Sequence, residues 1–182
     1  MTWPLKAALA ALTVALGAAV SYSLSTFWAN VHLNRAQESL PLGQYEPALA
    51  ALSRARALTP GDAALAREQG KANQLLYAFR RDDAYAQRAF EFFREATVLN
   101  PLDGENFSNL GWSYMVTNHL VEAEAAFKEA LKRDPHNVHY LYSFGKLKER
   151  EGDAAGARAL YERALSVKHD ARVAARLGAL AN

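Results

Sequence analysis

The stretch from Gly104 to Pro135 reads GENFSNLGWSYMVTNHLVEAEAAFKEALKRDP and holds the clearest pattern in this 182-residue chain. Apolar residues return along it every three or four positions, which is the spacing of one face of a helix. A short polar segment around Asn118 interrupts the spacing, and Pro135 closes the stretch. The pattern predicts two amphipathic helices joined by a tight turn.

The same pattern returns 34 residues later and 34 residues earlier in the chain. Small residues recur at the positions of Gly111, Ala123 and Ala130, and large apolar residues recur at those of Leu110 and Phe127. The later copies are Phe144, Gly145, Ala157, Tyr161 and Ala164, and the earlier ones are Leu76, Ala89, Phe93, Ala96 and Pro101. A fixed period of this length is typical of stacked helical hairpins. We therefore expect an all-α fold in which neighbouring hairpins bury each other.

These recurring residues resemble the tetratricopeptide repeat family, whose unit is a 34-residue helix-turn-helix. The pattern is fullest at Leu110, Gly111, Tyr114, Asn118, Ala123, Phe127, Ala130 and Pro135. The chain departs from it at Tyr77, where a small residue is expected, at Lys148 and at His169. The resemblance implies a right-handed helical-hairpin solenoid of about four repeats over residues 29–171, closed by a capping helix at residues 172–182.

The second repeat is longer than the others. Counting 34 residues back from Gly104 starts a standard unit at Gly70, which leaves residues 63–69 as an excess of seven. Seven residues are about two helical turns, so the excess nearly preserves the buried face. We expect this repeat to protrude at one end, as a spacer or as a contact point, and we expect Asp62 to cap its first helix.

The N-terminal segment, residues 1–28, is predicted to be a single transmembrane anchor. No charged residue occurs between Lys6 and Arg35, and residues 7–27 as a helix would cover about 30 Å, the thickness of a hydrocarbon core. Lys6 precedes the span, and aromatic residues cluster at its far end. This arrangement predicts an inner-membrane protein with a cytoplasmic N-terminus and its repeats on the far side, which in a bacterium is the periplasm.

A cleaved signal peptide is the other interpretation of this segment. The apolar run from Ala7 to Val20 could end in a small-residue cleavage site after Ala19. Cleavage would leave Tyr22, Phe27 and Trp28 near the new end of the chain.

Small residues spaced by four form a stripe along one face of the N-terminal helix: Thr13, Gly17, Ser21, Ser25 and Ala29. Such stripes allow transmembrane helices to approach closely, so this face is a candidate contact for a second membrane helix. An alanine-rich segment also gives small residues on every face by chance.

In the family that the chain resembles, the first helix of each hairpin lines a concave groove that binds peptides or partner helices. Carrying that role across gives Lys71, Gln74, Ala78, Arg81, Ser108, Trp112, Met115, His139, Tyr142, Lys146 and Glu149 as groove residues. Trp112 and Met115 are expected to present apolar surface to the groove. Alternatively, Trp112 packs against Tyr142 or Lys146 as ordinary structure.

The groove composition favours one class of ligand over another. A clamp for a C-terminal carboxylate would need asparagine where Ala78 and Trp112 stand. The groove is instead mixed apolar and cationic, which suits a peptide or an amphipathic helix.

Several chemistries lack the residues they need. The chain has no cysteine, its net charge is only +2, and His136 and His139 lack a third convincing metal ligand. We therefore expect no enzyme activity, no cofactor, no metal and no nucleic-acid partner. The sequence predicts a membrane-anchored interaction scaffold or assembly factor of a cell-envelope complex. The alternatives are a permanent structural subunit held by its transmembrane helix and a cleaved, secreted periplasmic adaptor.

Overall fold

The computed structural model describes residues 3–180, and all regular structure within them is helical. The α-helices are α1 (Trp3–Ser39), α2 (Tyr45–Leu58), α3 (Ala63–Arg80), α4 (Asp83–Leu99), α5 (Gly104–Val116), α6 (Leu120–Arg133), α7 (Val138–Glu151), α8 (Ala154–Val167) and α9 (Ala171–Ala179). A short 3-10 helix, Leu40–Leu42, lies between α1 and α2. The all-α prediction is confirmed. The last helix was expected at residues 172–182, of which 181 and 182 lie outside the described residues.

The chain divides into two compact units after Leu65, inside α3. In the first unit, α1 packs against α2, and the chain reverses at Gly43, whose φ of 72° suits glycine. The buried positions of the two helices are mostly alanines, including Ala29, Ala36 and Ala48. Small side chains allow the two helix backbones to approach closely.

The second unit is a stack of helical hairpins. The helices α5 and α6 pair, as do α7 and α8, and each hairpin packs on the next through α4 with α5, α6 with α7, and α8 with α9. Side-chain oxygens cap the helix starts: Asp82, Asp103, Asn137, Asp153 and Asp170 each accept a hydrogen bond from a backbone N–H of the following turn. Asp62 does the same for α3 through Ala64 N–H, as predicted.

One glycine–aromatic contact recurs in each hairpin of the second unit. A Cβ built on Gly111 would lie 2.9 Å from the Phe127 ring, and one on Gly145 would lie 2.3 Å from the Tyr161 ring. In the first of these hairpins the equivalent contact joins Gly70 and Phe93, at 2.5 Å. Gly70, and not Tyr77, is therefore the small residue of this repeat.

This contact corrects the position of the seven extra residues. Gly70 and Phe93 stand seven positions further apart in sequence than the glycine and aromatic residue of the next two hairpins. The excess thus follows Gly70, and residues 63–69 form the ordinary start of α3. The extra length lies at the turn end of the hairpin, where α3 continues to Arg80 and α4 already begins at Asp83.

The side chains in the N-terminal half of α1 are exposed in the part of the chain that the structure describes. All side chains from Lys6 to Leu24 are exposed, and the most apolar 18-residue window has a mean hydropathy of 1.8 with none of it buried. The helix is apolar and long enough to cross a membrane, and a signal sequence has the same properties. No break in α1 separates this half from the half that packs against α2.

Candidate protein-binding groove

A cleft of about 370 Å³ lies across the first helices of the hairpins in the second unit. Its lining residues come from α3, α5 and α7: Gln74, Leu75, Ala78, Asn109, Trp112, Val116 and His139. The predicted groove residues Gln74, Ala78, Trp112 and His139 thus lie together. We call this surface the α3–α5–α7 cleft.

The long α3 helix supplies one wall of the cleft. Relative to the Gly70 and Gly111 positions, Leu75 aligns with Val116, the last residue of α5, so Ala78 lies beyond the point where a standard first helix ends. Leu75 is 43% exposed and Ala78 is exposed. The seven extra residues therefore enlarge the apolar surface of the cleft.

Trp112 forms the opposite wall and is held from three directions. Its indole Nε1 donates a hydrogen bond of 2.9 Å to Ser143 Oγ on α7, and Lys146 Nζ lies 5.2 Å from the ring centroid. One part of the ring packs against the core cluster that contains Met115 and Phe127. The ring is half-buried, so it is a fixed wall of the cleft and also a contact between α5 and α7.

Asn109 lies in the same cleft, one helical turn before Trp112. Its Nδ2 atom is buried and has no hydrogen-bond partner among the described residues. A buried donor without a partner costs about 1–3 kcal/mol.

Comparison with known proteins bears on the repeat and on the fold. Residues 104–137 match the tetratricopeptide repeat family. A thermophilic TPR protein of Thermus thermophilus has a similar structure, with a TM-score of 0.74 and 24% identity over 80% of this chain and 77% of that one. The chain has the tetratricopeptide-repeat fold.

Two further comparisons involve one solved TPR domain with a bound peptide and one human protein of similar sequence. The first TPR domain of Spaghetti (RPAP3), solved with the HSP90 peptide SRMEEVD, superposes with a TM-score of 0.60 and 19% identity over 70% of this chain and 95% of that domain. The human General transcription factor 3C polypeptide 3 is 30% identical over 86 residues, which are 47% of this chain. The match spans only 10% of the human protein. Tetratricopeptide repeats mediate protein–protein interaction through extended concave surfaces.

Two predicted groove residues of the tetratricopeptide repeats are not accessible in the structure. Ser108 is 1% exposed and Met115 is 5% exposed, and Met115 belongs to the core cluster with Ala123 and Phe127. The expectation that Met115 presents apolar surface to the groove therefore does not match its position. For Met115 the physical reason is that Phe144 and Leu147 of α7 pack in the same core cluster.

Glu149 and Tyr142 make contacts on the side of α7 that faces the end of the repeats. Glu149 Oε1 accepts a 2.8 Å hydrogen bond from the Tyr161 hydroxyl. Burial and then this hydrogen bond raise the pKa of the Tyr161 phenol. Tyr142 lies 6.0 Å from the Tyr161 ring and 5.6 Å from the Arg172 guanidinium. These contacts join α7 to α8 and α9.

The remaining predicted cations differ in how they are paired. Lys71 Nζ lies 3.1 Å from Glu68 Oε1 and 2.7 Å from Glu105 Oε1, so its charge is neutralised between α3 and α5. Arg81 is exposed at the turn after α3, with a φ of 56°. Lys146 makes no ion pair with a described residue and rests on the Trp112 ring.

Leu75, Asn109 and Val116 line the cleft but were not among the predicted residues. Asn109 and Val116 stand three before and four after Trp112, so helical spacing alone would have placed them on its face. Leu75 lies outside the predicted set because the 34-residue spacing places the seven extra residues before Gly70, whereas they follow it. Gly70 was the sequence signal for the correct register of α3, because it is a small residue and Tyr77, at the expected position, is not.

The predicted membrane-contact stripe divides along α1. Thr13, Gly17 and Ser21 are exposed, Ser25 is half-buried, and Ala29 is only 4% exposed. Thr13 Oγ1 already donates to Ala10 O at 2.8 Å within its own helix. Ala29 lies in the half of α1 that packs against α2, so it is not open to a second membrane helix.

Proposed function

We propose that this protein is a membrane-anchored interaction scaffold or assembly factor, whose α3–α5–α7 cleft binds a segment of a partner in a cell-envelope complex. The observation that carries the proposal is that exposed apolar side chains and the half-buried Trp112 ring line one cleft across three first helices. Apolar walls with a few placed polar groups are typical of binding sites. The fold by itself supports only a general role in protein–protein interaction.

The chemistry of the cleft indicates its ligand. Leu75, Ala78 and Trp112 suit one large apolar side chain, and Gln74 and His139 add polar groups to the lining. Lys146, which lacks an ion pair among the described residues, favours an acidic residue in the ligand. The proposed ligand is an apolar, acidic peptide or amphipathic helix. The Spaghetti domain was solved with an HSP90 peptide, which is a precedent for peptide binding by this fold. A clamp for a C-terminal carboxylate would need asparagine where Ala78 and Trp112 stand.

Peptide selection against the full-length protein in lipid nanodiscs tests the cleft. We expect a displayed random library to yield apolar, acidic peptides, whose affinity is then measured by fluorescence polarisation. Ala78→Trp fills the cleft from an exposed position and should weaken binding at least roughly tenfold, equivalent to about 1.4 kcal/mol.

Ala159→Trp is the matched control, because Ala159 is exposed on α8 and does not line the cleft. It should leave the affinity unchanged. The cleft proposal would be contradicted if Ala78→Trp and Ala159→Trp weakened peptide binding equally. It would also be contradicted if neither substitution changed the affinity of the selected peptides.

The membrane part of the proposal is supported by the exposed apolar half of α1. A segment of this hydropathy without cover would be unfavourable in water, and burial in lipid removes that cost. Lys6 before the span favours a cytoplasmic N-terminus and repeats in the periplasm of the inner membrane.

Cysteine labelling tests this orientation directly, because the chain has no cysteine of its own. Ala159→Cys should react with a membrane-impermeant maleimide in intact cells whose outer membrane has been permeabilised. Reaction only after the inner membrane is lysed would reverse the orientation. A mature chain that begins near Val20 and is released from membranes by a carbonate wash would identify the cleaved, secreted adaptor instead.

A permanent structural subunit is the second candidate. The observation that favours it is the open surface beside Gly17, where an added Cβ would have no neighbour within 4 Å. If a second transmembrane helix docks there, Gly17→Leu should release the complex while Ala78→Trp leaves it intact. The opposite result would favour the scaffold.

A further inference from the structure

The loop after α2 lies beside α1 at the level where the exposed apolar half of α1 ends. Tyr22 and Thr26 of α1 and the loop residues 58–62 line a cavity of about 520 Å³. All of these residues belong to the first compact unit. We call residues 58–62 the α2–α3 loop.

The height of this loop along α1 is fixed because α1 is one continuous helix. It runs from Trp3 to Ser39, with every side chain from Lys6 to Leu24 exposed and the first buried residue at Ala29. The antiparallel helix α2 brings its last residue, Leu58, back to the level of Tyr22 and Thr26. No flexible linker separates the apolar half of α1 from the hairpin.

Bilayer dimensions then place the loop at the membrane surface. A hydrocarbon core of about 30 Å takes about 20 helical residues, so a core whose far boundary lies just below Tyr22 reaches back to the start of α1, with the Lys6 ammonium extended to the near surface. The headgroup layer adds about 5–8 Å on each side, which is the rise of about four to five residues. The distance from Tyr22 to Thr26 along the helix therefore matches the thickness of this layer.

The loop also limits how deep α1 can insert. Irregular backbone does not face lipid within the hydrocarbon core, because its polar groups would lose their hydrogen bonds to water. The exposed residues Pro60, Gly61 and Asp62 must therefore remain in the headgroup layer or above it. Phe27 and Trp28, which are 59% and 51% exposed and contact each other at 5.6 Å, lie at the same level and are of the type enriched at interfaces.

We infer that the α2–α3 loop is a membrane-contact surface whose partner is the headgroup layer of the bilayer, and that it stops the insertion of α1 into the hydrocarbon core near Tyr22. The inference rests on the proposed membrane anchor. The first hairpin then stands on the membrane, with α2 rising about 20 Å from the loop to the Gly43 turn.

Depth-dependent quenching in liposomes tests the inference with three labelled positions. Single cysteines replace Gly61 in the loop, Leu42 at the opposite end of the hairpin, and Val14 in the apolar half of α1, and each carries an environment-sensitive fluorophore. Leu42 and Val14 are 71% and 73% exposed, and a Cβ on Gly61 has no neighbour within 4 Å, so all three substitutions fit the fold. The full-length protein is reconstituted in phosphatidylcholine and phosphatidylglycerol, with lipids spin-labelled either at the headgroup or deep in the acyl chain.

We expect the headgroup quencher to reduce the Gly61→Cys signal strongly, with little effect on Leu42→Cys, and the deep quencher to reduce only the Val14→Cys signal. A Gly61→Cys signal as insensitive as that of Leu42→Cys overturns the inference and leaves the anchor standing, provided that Val14→Cys is quenched. Stronger quenching of Gly61→Cys by the deep lipid also overturns it. An unquenched Val14→Cys label overturns the membrane anchor itself.

Discussion

Gly70 lies beneath the ring of Phe93, so close that a methyl group added to Gly70 would stand 2.5 Å from the Phe93 Cε1 atom. Phe93 is fully buried. This contact sets the register of α3 against α4. It also moves the seven extra residues of the hairpin to its turn end, where α3 forms a wall of the α3–α5–α7 cleft.

Gly70→Leu should therefore lower the free energy of unfolding by roughly 1–3 kcal/mol, because it overpacks the core at Phe93. Gly178→Leu is the matched control, since a Cβ there has no neighbour within 4 Å. Its effect should stay within about 0.5 kcal/mol, as for most surface substitutions. Urea denaturation followed by circular dichroism measures both, and equal midpoints for the two variants would show that the register is wrong.

Ala123→Leu tests the packing of the next hairpin. Ala123 is fully buried in the cluster with Phe127 and Phe144, so the larger side chain should cost roughly 1–3 kcal/mol of stability. Ala125→Leu, at an exposed position of the same helix, makes the same chemical change without the clash. The prediction fails if thermal denaturation does not separate the two variants.

Trp112→Phe keeps an aromatic ring in the cleft but removes the indole donor. Ser143 Oγ, which is in a fully buried residue, would lose the 2.9 Å hydrogen bond, and we expect a loss of about 1–3 kcal/mol in stability. Adding Ser143→Ala to this variant should recover part of the loss, because the unpaired hydroxyl is removed as well. Unchanged stability in Trp112→Phe would mean that the hydrogen bond from Trp112 to Ser143 does not stabilise the fold, and that Trp112 only lines the cleft.

Glu124 should make the stability depend on acid pH. Hydrogen bonds from Lys128 and Lys148 hold the pKa of this carboxyl below its usual value of 4.5, despite the opposing effect of partial burial. The folded state therefore binds the Glu124 proton more weakly than the unfolded state does. Its contribution to stability is present above about pH 4.5 and is lost as the pH falls through the lower folded pKa.

Melting temperatures between about pH 7 and pH 3 check this linkage. Glu124→Gln should be less stable than the unaltered chain at neutral pH, and the difference should shrink in acid. Glu122→Gln is the control, because Glu122 is exposed on the same helix and makes no ion pair with a described residue. A constant difference between Glu124→Gln and the unaltered chain would contradict the prediction.

Local sequence patterns predicted much of the fold. The 34-residue period predicted the hairpins of the second unit and marked Gly111 as a recurring small residue and Phe127 as a recurring large one. The continuous apolar run gave the exposed half of α1. The candidate site was predicted less well. Gln74, Ala78, Trp112 and His139 do lie together, whereas Met115 and Ser108 are buried, and Leu75 and Asn109 were missed.

The sequence by itself determined that this protein consists of helical hairpins with small residues where helices touch, because helical periodicity and residue size act within a few turns of the chain. It equally determined one helix apolar enough for a bilayer. Only the tertiary structure decided which residue of α3 meets Phe93, and which groove residues stay accessible once α7 packs on α5. Both depend on the position of a neighbouring helix, and seven residues in a turn change that position without disturbing the local pattern.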